Sequence, residues 1–358
     1  MIPVTKTYFP PLKEYHKQIE RIWKNEWLTN RGELLKELEN KIKKYLNISN
    51  ITLNTNGTLP IQIALNVLAE CGEVITTPFS YVATTSAIVW EKCTPVFVDI
   101  HPEYLTIDET KIEAAITKKT TAILATHVFG NPCNIEAIEK IANKYNLKVI
   151  YDAAHCFGVE YKGQSIFNYG DVSTCSFHAT KIFHTGEGGA FFCNDVQLKK
   201  KMYYSHNFGH NGQEDFHGVG INAKMSELQA AMGLSVLPLM QKIFASRKRI
   251  VNHYNEHLNL KELSKIKIRD DTNWNYSYYP IIFESEANLL KAQVLLNESS
   301  IFPRRYFYPS LNTLNYIDEI SMPISESIAS RVMCLPLYYE LEYLEITNIC
   351  SIINNSLK

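Results

Sequence analysis

Between residues 51 and 194 the chain alternates short runs of apolar, often β-branched residues with amphipathic segments. This alternation is typical of parallel strands joined by helices that cover the sheet. We therefore predict an α/β fold with a largely parallel sheet. The predicted strands are residues 73–77, 95–99, 121–126, 147–152 and 190–194.

Two segments between these strands show the periodicity of helices. Residues 134–145 place apolar side chains at helical spacing after Asn134, a residue type favoured at helix N-caps, and residues 108–117 have a similar pattern. We expect both to be crossover helices. Farther along, Ser226 and Gln229 have the spacing of a capping box, and Pro238 should bend or break the helix that they start.

The length of 358 residues suits two lobes better than one. We predict a large domain over residues 1–237, which includes an N-terminal segment. A smaller C-terminal α/β domain should follow over residues 238–358.

Charge and composition exclude several classes of partner. The chain has 36 basic and 37 acidic side chains, a balance without the basic excess that nucleic acid or an anionic membrane attracts. No secretory signal is visible at the N-terminus, and Pro78 interrupts the longest uncharged run, residues 74–90. The eight cysteines lack paired C-x-x-C spacing, which is typical of reduced thiols. We expect a soluble cytoplasmic protein with no nucleic acid or membrane partner.

Three short segments could carry chemistry. Asn56-Gly57-Thr58 precedes a helical pattern, where unpaired amides and the helix dipole favour an anion, although an ordinary Asn/Gly turn has the same residues. Asp152 ends an apolar strand, where open parallel sheets bind ligands. Lys181 lies between small and aromatic residues in a core-like stretch, unlike most lysines, which are solvated surface charges.

A phosphate site, a carboxylate at a strand end and a sheltered lysine are together what pyridoxal phosphate requires. Other sites lack support. G-x-G-x-x-G, the P-loop motif and G-x-S-x-G are absent from the sequence. Five histidines lie within a short span but match no pattern of metal ligands, so we predict no metal site; they are His178, His184, His206, His210 and His217.

The chain resembles the DegT/DnrJ/EryC1/StrS family of sugar aminotransferases. The likeness runs from Trp27-Leu28-Thr29 and NGT through DAAH, SFHATK and GEGGA to LPL, and the spacing of DAAH, SFHATK and GEGGA is its most specific part. The resemblance implies the aspartate aminotransferase-like fold (fold type I) with a mostly parallel, seven-stranded sheet. It also implies pyridoxal 5'-phosphate as cofactor and a homodimer with shared active sites.

Residue by residue, the resemblance assigns the cofactor site. Lys181 matches the lysine that binds the cofactor covalently, and Asp152 matches the carboxylate that pairs with its pyridine nitrogen. The other matching residues are Gly57, Thr58 and Ser176 around the phosphate, Tyr81 stacked on the ring, His155 beside it, and Asn222 reaching across the dimer interface. After that asparagine many relatives have an aromatic residue and Arg, whereas this chain has Ala223 and Lys224.

The resemblance also implies the reaction. Glutamate would donate its amino group to a nucleotide-linked keto-6-deoxy sugar, converting dTDP-4-dehydro-6-deoxyglucose to dTDP-4-amino-4,6-dideoxyglucose for deoxysugar biosynthesis, such as that of lipopolysaccharide O-antigen. Amination at carbon 3 of a 3-keto isomer is an alternative, and so is a non-catalytic, ligand-sensing protein of the same fold. The candidate substrate-binding residues are Thr29, Arg304, Arg305 and Tyr306.

Overall fold

Seven strands form one sheet at the centre of the larger lobe. We describe the protein from a computed structural model, which covers residues 1–318 and 320–358. The strands in chain order are β1 (Ile2–Pro3), β2 (Thr52–Asn54), β3 (Glu73–Thr76), β4 (Thr94–Phe97), β5 (Thr120–Thr126), β6 (Lys148–Asp152), β7 (Glu160–Tyr161), β8 (Gln164–Ser165), β9 (Val172–Ser176), β10 (Gly189–Phe192), β11 (Ser264–Lys265), β12 (Thr272–Asn273), β13 (Pro280–Ile282), β14 (Ile301–Phe302) and β15 (Val332–Cys334).

The central sheet has the strand order β2-β10-β9-β6-β5-β3-β4. Neighbouring strands from β9 to β4 are parallel, and β10 is antiparallel to both β2 and β9. The strands β5 and β6 are almost wholly buried, as expected for a parallel sheet with helices on both faces. The predicted α/β class and the mostly parallel, seven-stranded sheet are confirmed.

Eleven α-helices are found in the described residues, and they cover the sheet and build the second lobe. They are α1 (Leu12–Asn25), α2 (Glu33–Leu46), α3 (Thr58–Leu68), α4 (Val82–Trp90), α5 (Ile135–Tyr145), α6 (Val196–Ser205), α7 (Glu227–Val236), α8 (Met240–His257), α9 (Glu286–Glu298), α10 (Pro323–Arg331) and α11 (Tyr343–Ser356).

The local signals for helix ends are mostly confirmed. Asn134 caps α5 by accepting a hydrogen bond from the amide of Ala137, and Ser226 and Gln229 form the expected capping box at the start of α7. The helix expected over residues 108–117 is wrong. Two short 3-10 segments occupy this stretch, and the Asp108 side chain accepts hydrogen bonds within the first of them, which favours a tight local turn over a longer helix.

The helical run Glu227–His257 passes through a 3-10 turn around Pro238, where α7 ends and α8 begins. Its length and its mean hydropathy, 1.2 over an 18-residue window, would suit a membrane span. Half of that window is buried inside the protein, however, as in the core helix of a soluble protein. The uncharged run at residues 74–90 forms most of β3, a turn and α4.

A second hydrophobic core lies in the C-terminal lobe. The antiparallel sheet β11-β13-β15 contributes to it together with α8, α9 and α11. One helix spans both cores, because Ile243 of α8 packs in the first and Ile250 in the second. The domain division between residues 237 and 238 stays a prediction.

Candidate active site

The carboxyl end of β6 places Asp152 at the edge of a cavity of about 250 Å³. Asp152 lies beside Thr126 of β5 and Thr174 of β9, because the parallel strands end at the same edge of the sheet. Both lobes line the cavity. Its lining residues include Asn56, Gly57, Thr58, Ser80, Tyr81, Thr126, Asp152, His155, Ser176, His178, Lys181, Glu187, Tyr278, Arg304, Tyr306 and Phe307.

The carboxylate of Asp152 is buried and accepts two hydrogen bonds. The Thr84 hydroxyl donates to Oδ2 at 2.7 Å, and the Ala154 amide donates to Oδ1 at 3.1 Å. Burial raises the pKa of Asp152, while these hydrogen bonds and the charge of Lys181 oppose the rise. A further positive charge in the cavity would therefore stabilise the ionised form of this side chain.

A row of buried hydroxyl groups supports this carboxylate from behind. Because Thr84 donates to Asp152, its oxygen accepts from Ser80, and Ser80 in turn accepts from Thr126. The two distances are 2.7 Å and 3.1 Å, and all three residues are buried. In this row each hydroxyl group donates to the next, and the last one, Thr84, donates to Asp152.

Lys181 reaches the cavity from the loop that follows β9. Its backbone amide donates to the carbonyl of His178 at 2.8 Å, which forms a tight turn. Its amino nitrogen donates to the hydroxyl of Tyr278, a residue of the C-terminal lobe, at 3.3 Å. The structure thus brings Lys181 and Asp152 to one cavity.

The start of α3 forms a cradle with the end of β9. A Cβ atom added at Gly57 would lie 2.6 Å from the Cβ of Ser176, so only glycine allows this approach. The Asn56 side chain caps α3 by accepting from the amides of Thr58 and Leu59, both at 2.9 Å. Two hydroxyl groups and the positive end of the helix therefore face one small space, which suits a phosphate.

His155 is a buried, neutral imidazole on the wall of the cavity. Burial and the charge of Lys181 lower its pKa well below the usual range. Its Nδ1 accepts from the Phe129 amide at 3.0 Å, which places the proton on Nε2. The ring lies parallel to Phe307, with the centroids 5.8 Å apart, and so offers a flat surface.

Three more predicted residues line the cavity. Tyr81 is half exposed at the start of α4. The guanidinium of Arg304 lies over the ring of Tyr306, 4.8 Å from its centroid. Burial raises the pKa of Tyr306 to about 12, so its hydroxyl is a neutral hydrogen-bonding group.

Three others lie outside the cavity. Thr29 and Asn222 are exposed, and the Asn222 side-chain oxygen accepts from the Lys224 ammonium at 2.8 Å. Arg305 instead pairs with Glu286 and donates to the Ser330 carbonyl at 2.9 Å. Within one chain, these residues do not meet Lys181.

The histidines considered for metal binding are dispersed. His184 and His206 are buried and bonded to backbone carbonyls of Tyr8 and Tyr203. In the described part of the chain, the possible ligands that gather within 4.8 Å are those of His253, Glu256 and His257 on α8, outside the cavity. The absence of a metal site stays a prediction.

Comparison with known proteins fits this geometry. Residues 12–354 match the DegT/DnrJ/EryC1/StrS aminotransferase family. The chain belongs to this family. It is 43% identical to the dTDP-4-amino-4,6-dideoxy-D-glucose transaminase of Shigella dysenteriae, over 94% of each chain. It is 31% identical to the GDP-perosamine synthase of Escherichia coli O157:H7, over 99% of this chain and 98% of the relative.

Solved structures agree. The crystal structure of DesI in the presence of its TDP-sugar product superposes with a TM-score of 0.93 and 28% identity, covering 99% of this chain and 93% of that one. Family members are aminotransferases that depend on pyridoxal 5'-phosphate, and this protein is accordingly an aminotransferase of that type. The predicted family, fold, enzyme class and cofactor are confirmed.

The residues of the cavity fit this cofactor. The buried Asp152 carboxylate would face the ring nitrogen, the cradle of Gly57, Thr58 and Ser176 would hold the phosphate, and Lys181 would meet the aldehyde. Sequence reasoning missed Thr84, Ser80 and Tyr278. Ser80 and Thr84 flank the predicted Tyr81 in the sequence, but no motif shows that their hydroxyl groups lead to Asp152. Tyr278 reaches the site from the C-terminal part of the chain.

We expect Asp152→Asn to stabilise the cofactor-free protein near neutral pH. A pKa raised by folding means that the wild type loses stability as pH rises from the unfolded value of about 4 through the folded value. Asparagine carries no charge, so the advantage should be present at neutral pH and shrink as pH falls to about 4. Urea midpoints measured across this range check it.

The exposed Asp270→Asn is the matched control for this experiment. Its urea midpoint should differ little from that of the wild type. A variant Asp152→Asn that is less stable than the wild type at every pH would contradict the account of Asp152.

Proposed function

We propose that this aminotransferase moves the amino group of glutamate to carbon 4 of dTDP-4-dehydro-6-deoxyglucose, giving dTDP-4-amino-4,6-dideoxyglucose. The observation that carries the proposal is the 43% identity, over 94% of both chains, to a transaminase named for this product. The relative named for a GDP-linked sugar is less similar, at 31% identity. Identity therefore favours a dTDP-linked substrate.

Bound pyridoxal 5'-phosphate supplies an aldehyde carbon that takes up the amino group and a ring that withdraws electrons when a neighbouring C–H bond breaks. Lys181 would hold that carbon covalently at rest. Once its amino group is free, Lys181 would take a proton from the substrate carbon that carries nitrogen. It would then give the proton to the cofactor carbon on the other side of that nitrogen. The lysine would thus act first as an anchor and then as the base.

Asp152 would hold a proton on the ring nitrogen. Opposite charges in contact attract by several kcal/mol even at an effective dielectric constant of about 20. Thr84 and Ala154 occupy both carboxylate oxygens from behind, so the side chain cannot turn away. The neutral His155 would pack its flat face beside the ring without adding a competing charge.

Substrate recognition is proposed for the four remaining residues. Arginine forks suit phosphate oxygens, and Arg304 lines the cavity with Tyr306. Thr29 would act from the neighbouring subunit of a dimer. Arg305 would first have to leave Glu286, and we assign it the least direct role.

We further propose a homodimer with shared active sites. Near Asn222 and Thr29 the surface exposes several large apolar side chains, namely Trp27, Leu28, Phe208, Ile221 and Leu228. Backbone hydrogen bonds join Leu28 to Glu227 and Phe208 to Ile221, so parts of this surface are continuous. Exposed apolar surface of this kind favours a protein interface.

We also propose a cytoplasmic location and a product destined for a deoxysugar-containing polysaccharide such as an O-antigen. All eight cysteines are free thiols and seven are buried, which suits a reducing compartment. The polysaccharide rests on the family resemblance alone.

Lys181→Ala should abolish the near-visible absorbance of the protein incubated with pyridoxal phosphate. The wild type should turn yellow, because the band requires the covalent bond between the amine and the aldehyde. The exposed Lys201→Ala should stay yellow. A wild type that remains colourless after soaking and dialysis would refute the assignment of Lys181.

Incubation with glutamate should aminate the 4-keto sugar nucleotide and leave its 3-keto isomer unchanged. NMR of the product identifies the carbon that carries nitrogen. The same mixtures with Lys181→Ala should give no product. Nitrogen on carbon 3, or no turnover of either ketone, would overturn the proposed reaction.

Mixing Lys181→Ala with Asn222→Ala should restore activity that neither variant has alone. If each site combines Lys181 of one subunit with Asn222 of the other, mixed dimers hold one intact site. Random mixing should recover about a quarter of the wild-type rate. Activity that stays at the sum of the two variants after refolding together would show that each site lies within one chain.

A further inference from the structure

Tyr278 brings a phenolic hydroxyl group to the amine of Lys181. The Lys181 nitrogen donates to the Tyr278 oxygen at 3.3 Å and lies 5.8 Å from the centre of its ring. Tyr278 also packs edge-on against Tyr306 and lies 4.8 Å from the ring of His155, centre to centre. The hydroxyl therefore meets the reactive amine on the side of the cavity that belongs to the C-terminal lobe.

The segment that carries Tyr278 has no regular secondary structure, yet side-chain hydrogen bonds hold it to the large lobe. Asn275 donates to the carbonyls of His155 at 2.8 Å and of Phe157 at 2.9 Å. Trp274 and Ser277 both donate to the carbonyl of Phe129, at 2.8 Å and 2.9 Å. The three acceptor residues belong to the large lobe, and one of them, His155, lines the cavity.

Arg247 holds the same segment from α8. Its guanidinium is buried and donates to the carbonyls of Tyr276 at 2.8 Å and Ser277 at 2.6 Å. Burial lowers the pKa of Arg247 to about 10, so placing the charge here is unfavourable. Its hydrogen bonds hold the two backbone carbonyls that immediately precede Tyr278, and so they restrict where the Tyr278 side chain can lie.

We propose that Tyr278 is a positioning residue, which holds the free amine of Lys181 in the orientation that meets the cofactor aldehyde, and that Arg247 and Asn275 fix Tyr278 for this task. A lysine side chain has many rotamers, and a hydrogen bond to a rigid partner selects among them. The lysine nitrogen bonds to the aldehyde carbon and gives up two protons, and the aldehyde oxygen leaves with them as water to give a C=N bond. This step is fast only when the reacting atoms are already aligned. The inference rests on the role of Lys181 in the proposed function.

Tyr278→Phe removes the hydroxyl and keeps the ring. We expect the variant to capture pyridoxal phosphate about tenfold more slowly at saturating cofactor, since the amine is no longer aligned. Stopped-flow appearance of the near-visible band, in the full-length cofactor-free protein, measures this rate. Tyr276→Phe is the matched control, because its ring packs against Trp274 outside the cavity.

A second measurement separates orientation from damage. Formaldehyde is small and approaches from any direction. With cyanoborohydride added as the hydride donor, its reductive methylation of Lys181, followed by mass spectrometry, should proceed within about twofold of the wild-type rate in Tyr278→Phe. Arg247→Lys, which keeps the charge but loses the forked geometry, should slow cofactor capture to a smaller extent.

Unchanged cofactor capture in Tyr278→Phe would overturn the inference. An equal fall in both rates would also overturn it, because the amine would then be less accessible or less reactive in general. A wild type that forms no band at all would instead refute the role of Lys181, and with it the inference.

Discussion

Asp152 carries its carboxylate into a place nearly closed to water, where an ionised group is unfavourable unless hydrogen bonds and an opposite charge compensate for lost hydration. Thr84, Ala154 and the charge of Lys181 supply part of this compensation, yet burial prevails and the pKa stays raised. A protonated ring nitrogen would supply the remaining positive charge. A cofactor that places this charge beside Asp152 would favour the ionised carboxylate, and its binding should stabilise the fold through the same contact.

The cavity that holds Asp152 is built by both lobes. The sheet edge fixes Asp152 and Ser176, but the opposite wall consists of Tyr278, Arg304, Tyr306 and Phe307 from the C-terminal part of the chain. The hydrogen bond from Lys181 to Tyr278 joins the two lobes, so it depends on their relative position. The helix α8 helps to fix this position, because it runs from one core into the other and sends Arg247 to the segment that closes the cavity.

Sequence patterns predicted the features that a short stretch of chain determines, namely the buried strands and the residues at their ends. Buried parallel strands read as apolar runs, and a polar residue at the end of such a run falls at the edge of the sheet, which is how Asp152 could be found. Thr84 and Tyr278 could not, since they lie 68 and 97 residues from the groups that they contact. Helical periodicity over residues 108–117 was overridden by the local hydrogen bonds of Asp108.

The two adjacent arginines show a further limit. In an extended chain, neighbouring side chains point to opposite sides, so at most one of Arg304 and Arg305 can face the cavity. The residue type alone does not distinguish the two arginines. In the fold, Arg304 lines the cavity and Arg305 pairs with Glu286.

Lys224, where many relatives have arginine, determines which atom of the Asn222 side chain is already hydrogen-bonded. The lysine ammonium has only donors, so the Asn222 atom that it contacts at 2.8 Å must be the side-chain oxygen. The same ammonium donates to Asn207 at 2.8 Å, which fixes it in place. The Asn222 amide group is thereby left with its two N–H donors directed away from Lys224, on an exposed surface. Donors are what a phosphate requires, so Lys224 leaves Asn222 with the chemistry that its proposed role at a neighbouring subunit's site needs.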